Sequence, residues 1–295
     1  MKDIDYAIER VLEALASIPL KSSTRPHFLN ILGNSYQRRF IHFGEVKDTD
    51  IAIKLQLEAV TSTPLESANR AGLLNNLGQS HLVRFRFKRS GKVNDIEICT
   101  KLLLEAVSST SLDSPLRPLL TDNLGLTYSN LFEDSGNVED IDLAIKIMLE
   151  TVASESTSPA NRVRYISNLG NSYLRRFKKF KEMRDIDVAI ENFVETLTVT
   201  PLDSHRRAPS LINLGSSYLL RYRSNQEPND LEESISNFRL SSLCLNGSPS
   251  TRISGSLTWA RLSHKFDSLV SASEAYDQAI RLLPQVAWIG LNAIA

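Results

Sequence analysis

Cysteine is nearly absent from this 295-residue chain: Cys99 and Cys244 are the only two and lie far apart, which excludes a disulfide framework or a cysteine metal cluster. Each falls in a helical pattern and reads as a small buried hydrophobe. Glycine (12) and proline (11) are sparse and never gather into a linker, so composition gives no point at which to divide the chain. Aromatic residues make up 7%, which suits helix packing better than a β-sandwich. Neither sign of charge is in excess. Lys plus Arg and Asp plus Glu number 34 each, so the overall field gives no reason for non-specific attraction to nucleic acid or an anionic membrane. No apolar run approaches the roughly 18 residues of a membrane span, and the opening MKDIDYAIER is charged where a secretory signal needs an apolar core. These absences predict a soluble, cytoplasmic protein without membrane attachment.

What the chain does contain is a repeat. The segments ILGNSYQRRF (31–40), NLGQSHLVRF (76–85), NLGLTYSNLF (123–132), NLGNSYLRRF (168–177) and NLGSSYLLRY (213–222) place glycine at 33, 78, 125, 170 and 215, and a sixth, degenerate copy has Ala260 after Trp259. The spacing is 45 residues apart from 47 across the second unit, so one two-residue insertion accounts for the deviation. Between these segments a second family begins DIDYAI (3–8), DTDIAI (48–53), DIEICT (95–100), DIDLAI (140–145), DIDVAI (185–190) and DLEESI (230–235). In the fifth of these, Ile186, Ala189, Ile190, Phe193, Val194 and Leu197 fall on one helical stripe. The glycine-bearing element behaves likewise through Val163, Ile166, Leu169, Tyr173, Leu174 and Phe177. A mid-helix glycine costs about 1 kcal/mol relative to alanine, so Gly170 and its counterparts are expected to admit a close neighbour.

Each unit therefore consists of a glycine-bearing helix A and an aspartate-starting helix B. Asp48, Asp95, Asp140, Asp185 and Asp230 serve as N-cap or first-turn acids, and Pro19, Pro64 and Pro201 mark the ends of B helices. The expected architecture is all-α: a single right-handed α-solenoid over 1–295, with a leading half unit (1–19), repeats at about 20–64, 65–111, 112–156, 157–201, 202–246 and 247–284, and an apolar tail at 285–295.

The phrase Leu-Gly-x-x-Tyr (Leu32-Gly33 with Tyr36, Leu124-Gly125 with Tyr128, Leu169-Gly170 with Tyr173, Leu214-Gly215 with Tyr218) resembles the tetratricopeptide (TPR) motif. Glu274-Ala275-Tyr276-Asp277-Gln278-Ala279-Ile280-Arg281-Leu282-Leu283-Pro284 resembles a TPR second helix with its closing proline. The units are longer than the 34 residues of the TPR, which assigns the excess to the helices and the A–B loop. The D-I/L-D-x-A-I phrase with the final LLPQVAWIGL segment resembles the repeat region of fungal TPR proteins that end in a caspase-like CHAT domain.

Charged residues fall into ladders. Arg25, Arg70, Arg117, Arg162, Arg207 and Arg252 stand eight positions before each glycine or its equivalent, and Glu13, Glu58, Glu105, Glu150 and Glu195 stand twenty before. Antiparallel helices mirrored about the turn should pair each Glu with the Arg that follows it. The same mirror, across the A–B loop, pairs Arg39 with Asp48, Arg84 with Asp95, Arg176 with Asp185 and Arg221 with Asp230. A basic surplus remains at Arg86, Lys88 and Arg89, and at Arg175, Lys178, Lys179 and Lys181, interrupted in the third unit by Glu133 and Asp134.

The TPR resemblance implies that helix A lines a concave groove that takes a peptide. The residues facing it would be Asn30, Asn34, Asn75, Gln79, Asp122, Ser167, Asn171, Ser216 and Arg261. The cations with which some TPR domains clamp a carboxyl-terminal tail are absent, since Gln37, Leu82, Ser129, Leu174 and Leu219 stand near those sites. No HExxH, metal-ligand spacing or Gly-rich phosphate loop occurs, so no cofactor and no metal is expected. The function expected is a non-catalytic protein–protein interaction scaffold, serving as the sensor or regulatory arm of a larger protein. The alternatives are a nucleic-acid-binding solenoid using the basic A–B loops and a self-assembling array joined through the tail around Trp288.

Overall fold

The computed structural model describes residues 2–87, 93–154, 158–266 and 269–291. Among the described residues the chain is helical throughout, with thirteen helices and no strand. Residues 1–157 form one compact unit and 158–295 a second, a division within one residue of an expected repeat boundary. The first unit comprises α1 (Lys2–Ser17), α2 (Arg25–Phe43), α3 (Val46–Thr61), α4 (Arg70–Phe87), α5 (Val93–Ser108), α6 (Arg117–Ser135) and α7 (Val138–Ala153). The second comprises α8 (Pro159–Phe180), α9 (Met183–Val199), α10 (Arg207–Asn225), α11 (Pro228–Leu243), α12 (Pro249–Phe266) and α13 (Leu269–Leu291). The even-numbered helices are the A helices, and each packs against the B helix that follows it.

The A-to-B connection is tight. A single left-handed residue ends the A helix and donates its N–H to a carbonyl four residues back: Gly44 to Phe40, Gly136 to Phe132, Lys181 to Phe177 and Gln226 to Tyr222. One extended residue, Glu45, Asn137, Glu182 or Glu227, then starts the B helix. These loops are two residues long, which corrects the expectation of a lengthened A–B loop. The extra length lies in the helices and in B-to-A connections of five to eight residues, such as 18–24. The aspartates occupy the first turn and not the N-cap; Asp48, Asp95, Asp185 and Asp230 are buried there. The left-handed region costs a residue with a β-carbon about 1 kcal/mol. Lys181→Gly and Gln226→Gly are therefore each expected to raise the stability of the second unit by roughly that amount, read as a higher urea midpoint.

The mid-helix glycines sit where B crosses A. A β-carbon on Gly33 would lie 2.7 Å from Gln56 Cγ, one on Gly170 3.0 Å from the Phe193 ring, and one on Gly215 3.2 Å from both Asn237 Cβ and the Ser234 carbonyl. The apolar stripes meet beside them, in clusters such as Leu29, Leu32, Ile53, Val60, Leu74 and Leu77 in the first unit and Leu174, Phe177, Ile186, Ile190, Phe193 and Leu214 in the second.

All four arginine–aspartate pairs across the A–B loop form. Arg39 grips Asp48 with Nε and Nη2, both at 2.7 Å, and Arg84–Asp95, Arg176–Asp185 and Arg221–Asp230 repeat the two-pronged geometry. The remaining Nη1 reaches back to the preceding B helix: Arg39 to Asp5 (2.9 Å), Arg84 to Asp50 (2.8 Å) and Arg221 to Asp187 (2.7 Å). The second acid of the D-x-D phrase is thus a tie between successive pairs. The guanidinium also lies over the motif tyrosine, Arg39 on Tyr36, Arg176 on Tyr173 and Arg221 on Tyr218, at 5.0–5.4 Å.

The other ladder differs from its expected pairing. Arg25 Nη1 donates to the carbonyls of Leu15 and Ile18, Arg70 to Val60 and Thr63, Arg117 to Val107 and Thr110, and Arg207 to Leu197 and Thr200. Each arginine closes the carboxyl end of the previous B helix, whose last carbonyls lack helical partners. Three arginines of this ladder also meet a glutamate, and it comes from the B helix ahead: Arg25–Glu58 (3.8 Å), Arg70–Glu105 (3.0 Å) and Arg162–Glu195 (3.5 Å). Glu13 pairs instead with Arg10, one turn away on its own helix. The last B helix also departs from expectation, since α13 continues through Pro284 to Leu291 instead of closing there.

Candidate binding face

The A helices present the side chains expected to face a ligand, and the two units use them differently. In the first unit they bond largely to one another. Asn76 donates to Asn30 (3.1 Å), Asn75 to Asn76 (3.3 Å) and Asn123 to Asn75 (2.7 Å), which strings an amide ladder through α2, α4 and α6. Gln56 of α3 donates to Asn34 (2.9 Å). Asn75 and Asp122 are buried, and Gln79 is half-buried with its Nε2 unbonded. Asn76 and Asn123 were not among the expected residues, although the asparagine of the Asn-Leu-Gly phrase marks them.

In the second unit Ser167 and Asn171 on α8 and Ser216 on α10 are half-buried, with no side-chain hydrogen bond among the described residues, and Arg261 on α12 is exposed. Helical period carries their stripe onward. On α8 the positions 167, 171, 175 and 178 share a face, so Arg175 and exposed Lys178 stand in line with Asn171. On α10, Ser216, Leu219 and Arg223 do the same, and on α12, Thr258, Arg261 and Lys265. The amide row and part of the basic surplus, read from sequence as separate sites, share one face here.

The rest of the basic surplus scatters. Arg86 donates to Asn130 (3.2 Å), and Lys88 and Arg89 lie outside the described residues. Lys179 is exposed one step off the α8 stripe, and Lys181 is the left-handed cap with its ammonium 5.5 Å from the Phe177 ring. Trp288 lies within the backbone of α13, beyond the last described side chain.

Between α10 and α12 the face deepens into a pocket of about 470 Å³. Its apolar wall is Leu219, Tyr222, Leu262 and Phe266, with the two aromatic rings edge to face at 5.9 Å. Arg223, Arg261 and Lys265 stand at its rim.

Titratable groups elsewhere have structural explanations. His81 occupies the tyrosine slot of its repeat and bonds to Asp95 through Nδ1 (2.8 Å). Burial pushes the imidazole below its ordinary value, against the pull of Asp95. Burial alone would raise the Asp95 carboxyl, but Arg84 and His81 outweigh it and hold the group low. Cys99 is fully buried beside Thr127, and burial pushes its thiol up to about 11, which leaves it unreactive. Cys244 is half-buried at the end of α11. Among the described residues no three His, Cys, Asp or Glu side chains gather as a metal site, and no helix is long and apolar enough to cross a membrane.

The lowered imidazole carries a pH prediction. An unfolded histidine protonates near pH 6.5 while the folded one resists, so stability that is complete above about pH 6.5 declines as pH falls below it. His81→Tyr is expected to flatten the change in urea midpoint between pH 7 and pH 5; an unchanged slope would contradict this.

No described protein family and no curated protein sequence matches the chain. Solved structures do share its fold. PilW, a type IV pilus biogenesis factor, superposes with a TM-score of 0.57 at 15% identity over 89% of this chain and 96% of its own. A chain of the APC/C hetero-tetramer Cut9-Hcn1 gives 0.54 at 14% identity over 94% of this chain and 46% of the other. TPR-like repeats of a putative kinesin light chain from Podosopora anserina give 0.51 at 14% identity over 73% and 96%. The fold is an α-solenoid of TPR-like helix pairs.

Proposed function

We propose that this TPR-like array is a non-catalytic protein–protein interaction scaffold that holds an extended partner segment along α8, α10 and α12. The observation that carries the reading is the contrast between the units. The amides of α2, α4 and α6 are largely occupied with one another, whereas Ser167, Asn171 and Ser216 keep their hydrogen-bonding capacity beside exposed cations. An extended peptide backbone offers alternating donors and acceptors for such a row. The same role suits the sensor or regulatory arm of a larger protein. Solenoids of this kind host many activities, so the reading rests on the face and not on the fold.

A pull-down from lysate, with and without nuclease, tests it with the wild type, Asn171→Arg/Ser216→Arg, and Asn34→Arg, all matched by circular dichroism. The expected partner survives nuclease, is lost with the α8/α10 variant and is retained by Asn34→Arg. Loss with Asn34→Arg alone would move the site to the first unit. Recovery that disappears with nuclease and ignores both variants would favour nucleic acid on the basic residues.

A further inference from the structure

The pocket between α10 and α12 combines a concave apolar wall with cations of one sign. Leu262 is buried, Leu219 and Tyr222 are half-buried, and Phe266 is 42% exposed, so the wall is open to an incoming side chain. Arg223, Arg261 and Lys265 are all exposed, and none has a carboxylate partner among the described residues. Arg261 bonds only within its own helix, to the Leu257 carbonyl and the Thr258 hydroxyl, which orients it and leaves its charge unneutralised. The Lys265 ammonium lies 4.7 Å from the Phe266 ring. Among the described residues no acid lines the pocket; Asp267, next to Phe266 in sequence, lies outside them. The chain is neutral overall, with 34 cations against 34 acids, and most arginines elsewhere on the A helices are spent on buried aspartates or helix ends. Three unspent cations around one apolar hollow therefore form a local anion-seeking site of about 470 Å³.

We infer that this pocket takes an apolar side chain from an internal acidic stretch of a protein partner, with carboxylates on either side of it meeting Arg223, Arg261 and Lys265. The inference deepens the scaffold reading and rests on it for the direction of the chain, since Ser216 shares its stripe with Leu219 and Arg223. The hollow receives the apolar group, and Leu219, Tyr222, Leu262 and Phe266 shield it from water. The rim supplies charge complementarity, which governs the encounter rate and rejects basic segments. The site reads side-chain carboxylates and makes no use of a chain terminus.

The test is fluorescence anisotropy with labelled 12-residue peptides bearing glutamates on both sides of one central Phe or Leu. Wild type is expected to bind them, with affinity falling as salt rises from 50 to 300 mM. Changing the glutamates to glutamine should weaken binding at least tenfold, changing the central residue to serine at least fivefold, and amidating the carboxyl terminus less than twofold. Arg261→Glu/Lys265→Glu should lose at least tenfold, while Lys179→Glu, an exposed cation off the face, stays within twofold. Equal binding of the glutamate and glutamine peptides, or by wild type and the double variant, overturns the inference. So does tighter binding of a 12-residue oligothymidylate than of the peptides. Failure here, together with loss of a pulled-down partner in Asn171→Arg/Ser216→Arg, sinks the pocket and leaves the scaffold reading standing. Peptide binding as described, with a pull-down indifferent to that variant, sinks the groove and leaves the pocket.

Discussion

Arg221→Ala is expected to destabilise the second unit by about 3 kcal/mol, the cost of leaving a buried carboxylate without its partner. Asp230 retains only 4% side-chain exposure, and Arg221 supplies two of its hydrogen bonds while a third goes to Asp187 on the preceding B helix. Among the described residues Asn225 alone still donates to the stranded carboxylate, at 3.3 Å. The exposed pair Arg239–Glu274, at 3.9 Å with both side chains more than half exposed, is the control, and Arg239→Ala should change stability by less than about 1 kcal/mol. Removing the stranded charge as well, with Asp230→Asn, should recover part of the loss. Urea unfolding of the three variants checks this, and equal midpoints for Arg221→Ala and Arg239→Ala would contradict it.

The glycines separate into two classes with opposite expected responses. A β-carbon at Gly78 would find Leu103 at 3.5 Å and Cys99 at 3.6 Å, ordinary contact distances, so Gly78→Ala is expected to gain roughly 1 kcal/mol of helix propensity. At Gly33 the same atom would lie 2.7 Å from Gln56 Cγ and 3.2 Å from the Ala52 carbonyl. Gln56 is fully buried and bonded to Asn34, so it cannot yield without breaking that bond, and Gly33→Ala is expected to lose about 1–3 kcal/mol. Thermal or urea midpoints that move in the same direction for both variants would show that propensity, not helix approach, governs these positions.

Much of this architecture is legible in the sequence because it repeats. Glycine at a nearly constant interval locates five of the six complete pairs, and mirroring residues about the A–B connection finds Arg39–Asp48 and its three counterparts. The same mirror fails for Arg25 and Arg70. The sequence offers a first-turn arginine one glutamate behind and one ahead, and its best acceptors are backbone carbonyls, which carry no residue identity. The candidate face was half legible. Asn171, Ser216 and Arg261 follow from the repeat register, but the pocket walls do not. Leu219 and Tyr222 lie more than 35 residues from Leu262 and Phe266, and only folding brings these unrepeated pairs together.

The third pair departs from the rule in a way that bears on how the chain would respond to force. Where four of the other pairs carry Arg39, Arg84, Arg176 or Arg221, α6 has Leu131, and among the described residues the Asp140 carboxylate accepts only from the Ser135 hydroxyl, at 3.1 Å. Asp140 is accordingly half-exposed while its counterparts are buried. Under tension applied through the termini, α6 and α7 form the first unit's fuse: they should part at lower load than α2–α3 or α4–α5, and the guanidinium-locked pairs would stay intact after they have opened.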